Sequence, residues 1–121
     1  MSGSGRPQDL GGVIVAEPEI LGAILRRARR GRRLSLTAIA AKLRLSASRL
    51  SELERGDPGL TVATLRELAA ALDIDGRDLL ADLDRATAEI RQRGGVVVPR
   101  ACAASRAWRA DAVVARLGEV A

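Results

Sequence analysis

The chain has no histidine, tyrosine or phenylalanine, and only one cysteine, Cys102. Without histidine the commonest general base is missing, and the usual nucleophile pairings go with it. A lone cysteine can form neither an internal disulfide nor a zinc site, so Cys102 reads as a buried or idle thiol. No glycine-rich loop leads into a lysine, which removes the common phosphate-binding motif. Asp73, Asp75 and Asp78 lack the spacing of a calcium loop and read as helix caps. No enzyme activity, cofactor or metal is therefore expected. Long apolar runs are absent too, and none approaches the ~20 residues of a membrane span. The N-terminus lacks the basic-then-apolar order of a secretion signal, which leaves a cytoplasmic location as the expectation. Lysine is also scarce. Lys42 is alone among 20 basic residues, a habit of GC-rich bacterial or phage genomes.

What is present is charge, unevenly placed. Arg26 to Arg55 holds ten basic residues against two acidic ones, while Asp57 to Glu89 holds three against eight. A chain polarised in this way suits one face for a polyanion and another kept away from it.

Most of the 121 residues read as helix. Residues 1–17 are expected to be a flexible N-terminal arm, glycine-rich through Gly12, with a β-prone run at Val13–Val15. Pro18, Glu17 and Glu19 suit the start of a first helix, striped by Ile20, Leu21, Ile24, Leu25 and Ala28 and ending near Gly31. Ser35 and Ser46 are N-cap signals for two short helices, Leu36–Leu43 and Ala47–Arg55, joined only by Arg44-Leu45. Thr61 caps a fourth, Val62–Leu72, with Val62, Leu65, Leu68, Ala69 and Leu72 as its inner face. Asp75 caps a fifth, Gly76–Arg93, with Asp78 in the capping-box position and a stripe of Leu79, Leu80, Leu83, Ala86/Thr87 and Ile90. Gly94-Gly95 stops it. Residues 94–121 then hold a second β-prone run, Val96–Val98, and a helix over Ala103–Leu117 with Trp108, Ala112, Val113 and Leu117 as its apolar side. Three-residue strands are too short to stand alone. The two runs are expected to pair with each other or across a two-fold axis, with the Trp108 helix over one face, so that the flanks join two copies; the alternative is that the fifth helix joins them alone through Leu83 and Ile90.

Within Leu34–Gly56, Ile39, Ala40 and Leu43 fall on one face of the second helix, and Leu50 and Leu53 on one face of the third. Ala47, Ser48, Arg49, Ser51, Glu52 and Arg55 are left facing outward. An exposed helix start carrying such side chains suits the DNA major groove.

At Leu34-Ser35, Ile39-Ala40, Lys42-Leu43, Leu45-Ser46, Ser48, Leu50-Ser51, Leu53-Glu54-Arg55-Gly56, Thr64-Leu65 and Leu68-Ala69 the chain resembles the Cro/phage-repressor (XRE-type) helix-turn-helix family, over about residues 20–83. The resemblance implies an all-α, five-helix repressor-like domain at residues 18–93, flanked by short β-prone segments and a C-terminal helix. It implies a pair between Arg29 and Glu54, although Arg29 can also be read as part of a phosphate patch. It places Ala47, Ser48 and Glu52 where the family reads bases. Alanine can touch a thymine methyl, serine is permissive, and glutamate accepts from cytosine N4. Arg49 can grip guanine or contact phosphate. Arg32, Arg33, Lys42, Arg44 and Arg55 are backbone-phosphate candidates, and Ser51 either joins them or lines the helix. The family usually has glutamine where Leu36 stands and a turn glycine where Arg44 stands. Arg44 must then adopt a left-handed conformation or shift the turn, at about 1 kcal/mol.

The function these readings imply is a nucleoid-associated transcriptional regulator, most simply a repressor, binding palindromic double-stranded DNA as a homodimer. The alternative is an antitoxin that regulates its own operon and holds a toxin partner through residues 94–121.

Overall fold

Helix α1 (Glu17–Gly31) is the buried axis of the molecule: Ile20 through Leu25 are all withdrawn from solvent. The computed structural model describes residues 10–100 and 107–117, and of residues 107–109 the backbone alone. Around α1 stand α2 (Leu36–Leu43), α3 (Ala47–Glu54), α4 (Val62–Ala71), α5 (Gly76–Gln92) and α6 (Ala107–Ala115), with strands β1 (Ile14–Ala16) and β2 (Val96–Val98).

The expected caps are in place. Ser35 Oγ accepts from the Ala38 amide at 3.1 Å, Ser46 Oγ from Arg49 at 3.0 Å, and Thr61 Oγ1 from Thr64 at 3.2 Å. Asp75 takes the Arg77 amide at 2.9 Å, while Asp78 contributes negative charge to the first turn of α5. At the head of α1, Glu19 Oε1 accepts from the Ala16 amide at 2.8 Å, as a capping-box carboxylate does.

Each of α1 to α5 ends in the same crossed pair of hydrogen bonds around one left-handed residue. At α3 and α5 that residue is Gly56 or Gly94, but at α1, α2 and α4 it is Arg33, Arg44 or Asp73. Arg44 has φ 58° and ψ 38°, so the turn between α2 and α3 keeps its geometry and the side chain carries the strain.

The two β-prone runs pair with each other within one chain, in parallel, with Ile14 opposite Val96 and Ala16 opposite Val98. Leu10 falls within the residues expected to form a flexible arm. Leu10 is buried in the core, and its amide donates to the Arg93 carbonyl at 2.8 Å. Residues 1–9 lie outside the described residues.

Helix α6 packs on α1, α5 and β1. Its apolar side differs from the expected one: Ala110, Val113 and Val114 are buried, Leu117 is half-buried, and Ala112 is exposed. Cys102 and the side chain of Trp108 lie outside the described residues. Elsewhere the core follows the stripes, with Leu65, Leu68 and Ala69 from α4, Leu72 just after it, and Leu79, Leu83, Ala86 and Ile90 from α5, while Val62 and Leu80 are half-buried.

Candidate nucleic-acid interface

Helix α3 is anchored on its inner side and open on its outer side. Leu50 and Leu53 are buried, and Glu54 beside them meets Arg29 of α1. Arg29 Nε donates to Glu54 Oε2 at 2.6 Å and Nη2 to Oε1 at 3.0 Å, with both side chains nearly excluded from water. The remaining Nη1 donates to the Leu34 carbonyl at 2.9 Å. One guanidinium thus ties together α1, α3 and the segment leading into α2. The structure brings together Arg29 and Glu54, the two residues expected to pair, and directs the Arg29 donors at protein acceptors.

Gly22 sets how closely α3 approaches. A Cβ there would stand 2.6 Å from the Glu54 carbonyl oxygen and 2.7 Å from that of Leu53. No side chain fits in that gap, so α3 ends against the bare backbone of α1.

On the outer side none of Ala47, Ser48, Arg49, Ser51, Glu52 and Arg55 is buried, and Ser48, Glu52 and Arg55 are exposed. Two of the expected base readers engage each other: Arg49 Nη1 lies 3.2 Å from Glu52 Oε1. Arg49 also meets Asp57, in the loop after α3, with Nη1 3.1 Å from Oδ2 and Nη2 donating to Oδ1 at 3.4 Å. The bonds to Asp57 and then Glu52 raise the Arg49 pKa above its already high ordinary value. Asp57 is lowered, first by the Gly59 amide that donates to its Oδ1 at 2.8 Å and then by Arg49.

The phosphate candidates divide. Lys42 and Arg44 are exposed at the end of α2. Arg55 Nη1 donates to Ser51 Oγ at 3.0 Å, so Ser51 orients Arg55. Arg33 is exposed at its left-handed position. Arg32 points elsewhere, donating from Nη2 to the Asp73 carbonyl at 2.9 Å and so bracing the turn between α4 and α5.

A recess of about 170 Å³ lies between α1, the start of α2 and α3, lined by Arg26, Arg29, Arg30, Leu36, Ser51, Glu54 and Arg55. Leu36 packs partly against the core and brings no donor to it. Arg26 and Arg30 supply positive charge at that rim, and neither was among the expected contacts. Their i, i+4 spacing on α1, beside Arg29, is the signal that could have found them. Arg26 also reaches Asp111 of α6 at 3.5 Å, an exposed pair of small energetic weight. Among the described residues, no helix is long and apolar enough to cross a membrane.

No curated protein and no solved structure matches the chain. The family profile for the helix-turn-helix domain does match, across residues 20–83, which runs from the first turn of α1 into the first half of α5. That span is more than half of the chain and contains the capped α2–turn–α3 unit with its exposed outer face, so the chain belongs to the helix-turn-helix family of DNA-binding regulators.

Proposed function

We propose that the protein is a sequence-specific transcriptional regulator, acting as a repressor on a palindromic operator that it binds as a homodimer in the cytoplasm. The observation that carries this reading is the division of α3. Its inner side is fixed by Leu50, Leu53 and the Arg29–Glu54 pair, and its outer side offers Ala47, Ser48, Arg49 and Glu52. A rigid helix with an open polar face is what base-edge recognition needs. Arg26, Arg30, Lys42, Arg44 and Arg55 supply charge on either side for the phosphate backbone.

Dimerisation follows from the energetics of recognition, because one short helix gives weak discrimination and a palindrome doubles the contacts. Val96, on β2, is the exposed large apolar residue among the described ones and suits contact between two copies. The antitoxin reading has less support. Ala110, Val113 and Val114 of α6 pack on the protein's own core, which leaves less apolar surface there for a toxin.

The test is binding to genomic fragments over a range of salt. Specific, salt-dependent shifts are expected. Arg55→Ala should weaken binding to operator and random DNA alike and reduce the salt slope by about 1. Absence of any salt-dependent binding by the unmutated protein would overturn the reading.

A further inference from the structure

Arg49 has five N–H donors, and its surroundings engage them unequally. Nη1 lies between Asp57 Oδ2 at 3.1 Å and Glu52 Oε1 at 3.2 Å, and Nη2 gives one hydrogen to Asp57 Oδ1 at 3.4 Å. Those contacts occupy the Nη1/Nη2 end of the guanidinium. The other edge, formed by Nε–H and the second Nη2 hydrogen, has no acceptor among the described residues. It is a fork of two parallel donors, the arrangement that matches O6 and N7 of a guanine.

Asp57 is itself fixed. Its Oδ1 accepts the Gly59 amide at 2.8 Å, a short-range turn in which the aspartate bonds the backbone two residues on. Gly59 completes the cradle from below, because a Cβ there would stand 2.7 Å from Arg49 Nη2. The guanidinium therefore lies between the helix that carries it and a loop shaped to receive it.

We infer that Asp57 is a positioning residue for base recognition, holding the end of the Arg49 guanidinium so that its Nε/Nη2 edge is presented to a guanine. This rests on the DNA-binding reading given above. Two consequences follow from the charges. A long arginine side chain ordinarily loses rotamer freedom on binding, and here that ordering precedes the encounter with DNA. Two carboxylates also neutralise Arg49 toward phosphate, so it adds little to sequence-independent binding. Asp57 thereby directs Arg49 away from the backbone and toward a base.

The experiment is selection of random duplex DNA by the full chain, with the preference read position by position. Asp57→Asn is the informative variant, since asparagine keeps the turn to Gly59 and loses the charged clamp. Arg49→Ala is expected to lower guanine preference at one base pair per half-site by about fivefold or more. Asp57→Asn should lower it at that same base pair, leave the others unchanged, and raise affinity for random DNA with a steeper salt dependence. In an Arg49→Ala background, Asp57→Asn should no longer change that position. A preference profile unchanged by Asp57→Asn overturns the inference, as does an effect that persists without Arg49. Either of those results leaves the DNA-binding reading standing. A wild-type protein that selects no sequence overturns both.

Discussion

Gly22 of α1 lies against the backbone of Glu54 so closely that a methyl group added there would come within 2.6 Å of the Glu54 carbonyl oxygen. The neighbours at that point are backbone atoms, which cannot swing aside. Gly22→Ala therefore sets a gain in helix propensity of about 1 kcal/mol against a forced displacement of α3. Overpacking of this kind costs about 1–3 kcal/mol, so a net loss is expected. Thermal unfolding should show a lower Tm for Gly22→Ala, together with weaker DNA binding from a displaced α3. A raised Tm would mean that α1 and α3 stand further apart.

Arg29 and Glu54 face each other from the two sides of the same contact. Removing either leaves the other as a buried, unpaired charge, and each alanine variant is expected to lose about 3–5 kcal/mol of stability. Because both changes remove one shared interaction, the double variant should cost far less than the two losses together. Denaturant unfolding of the four proteins measures this. Losses additive to within about 0.5 kcal/mol would contradict the pairing.

The sequence was most informative where periodicity and caps acted locally. Ser35, Ser46, Thr61 and Asp75 each mark a helix start because a side chain and an amide three residues or fewer away decide it. The stripes of α4 and α5 were legible for the same reason. The all-round burial of α1 was not. Gly22 and Ala23 are small, carry no periodic signal of their own, and become core only because α3 and α6 arrive from distant parts of the chain. Leu10 was hidden by the glycines beside it, since its burial depends on Arg93 and Gly95 at the far end of the sequence. At the interface, outward-facing positions could be read from the helix wheel. The diversion of Arg32 to the Asp73 carbonyl and the capture of Arg49 by Asp57 depend on loops whose path periodicity does not encode.

Arg44 and Asp73 hold equivalent left-handed positions after α2 and α4, yet only Arg44 lies beside α3. Glycine at either position should relieve about 1 kcal/mol of strain and raise Tm by about 4 °C. The effects on DNA should differ. Arg44→Gly is expected to weaken binding to all sequences and lower the salt slope by about 1, while Asp73→Gly leaves both unchanged. Equal DNA binding by the two variants would remove Arg44 from the candidate phosphate contacts.

Acid titration tests the cap of α5. Asp75 is held below the ordinary carboxylate range, first by the Arg77 guanidinium and then by the Arg77 amide. Its native form binds a proton less readily than its unfolded form, so its contribution is complete above the ordinary value of about 3.9. That contribution fades as pH falls through the lower native value. Asp75→Asn keeps the capping oxygen and loses the charge. The Tm difference between it and the wild type should be constant from pH 7 to about 5 and close progressively below about 4. A difference that persists unchanged into strong acid would assign the effect to shape and not to ionisation.

Cutting the chain after Arg93 separates two roles for the flanks. If β2 and α6 served only to join two copies, the remaining residues would stay folded as a monomer with the stability of one subunit. The packing argues for a larger effect. The cut removes Val96, whose amide donates to the Val13 carbonyl at 2.9 Å, and leaves β1 without a partner. It also removes Val113 and Val114, both buried in the core shared with α1 and α5. Each buried valine contributes about 1.5 kcal/mol or more, against a total stability of about 5–15 kcal/mol for a domain. The truncated protein is therefore expected to lose several kcal/mol, with a Tm that stays depressed at every protein concentration. A dimer-only role predicts instead a Tm that converges with that of the full chain on dilution, because dissociation removes the advantage of assembly. Sedimentation and thermal unfolding at two concentrations tell these apart. A truncated protein with unchanged Tm would show that α1 does not need α6 beside it.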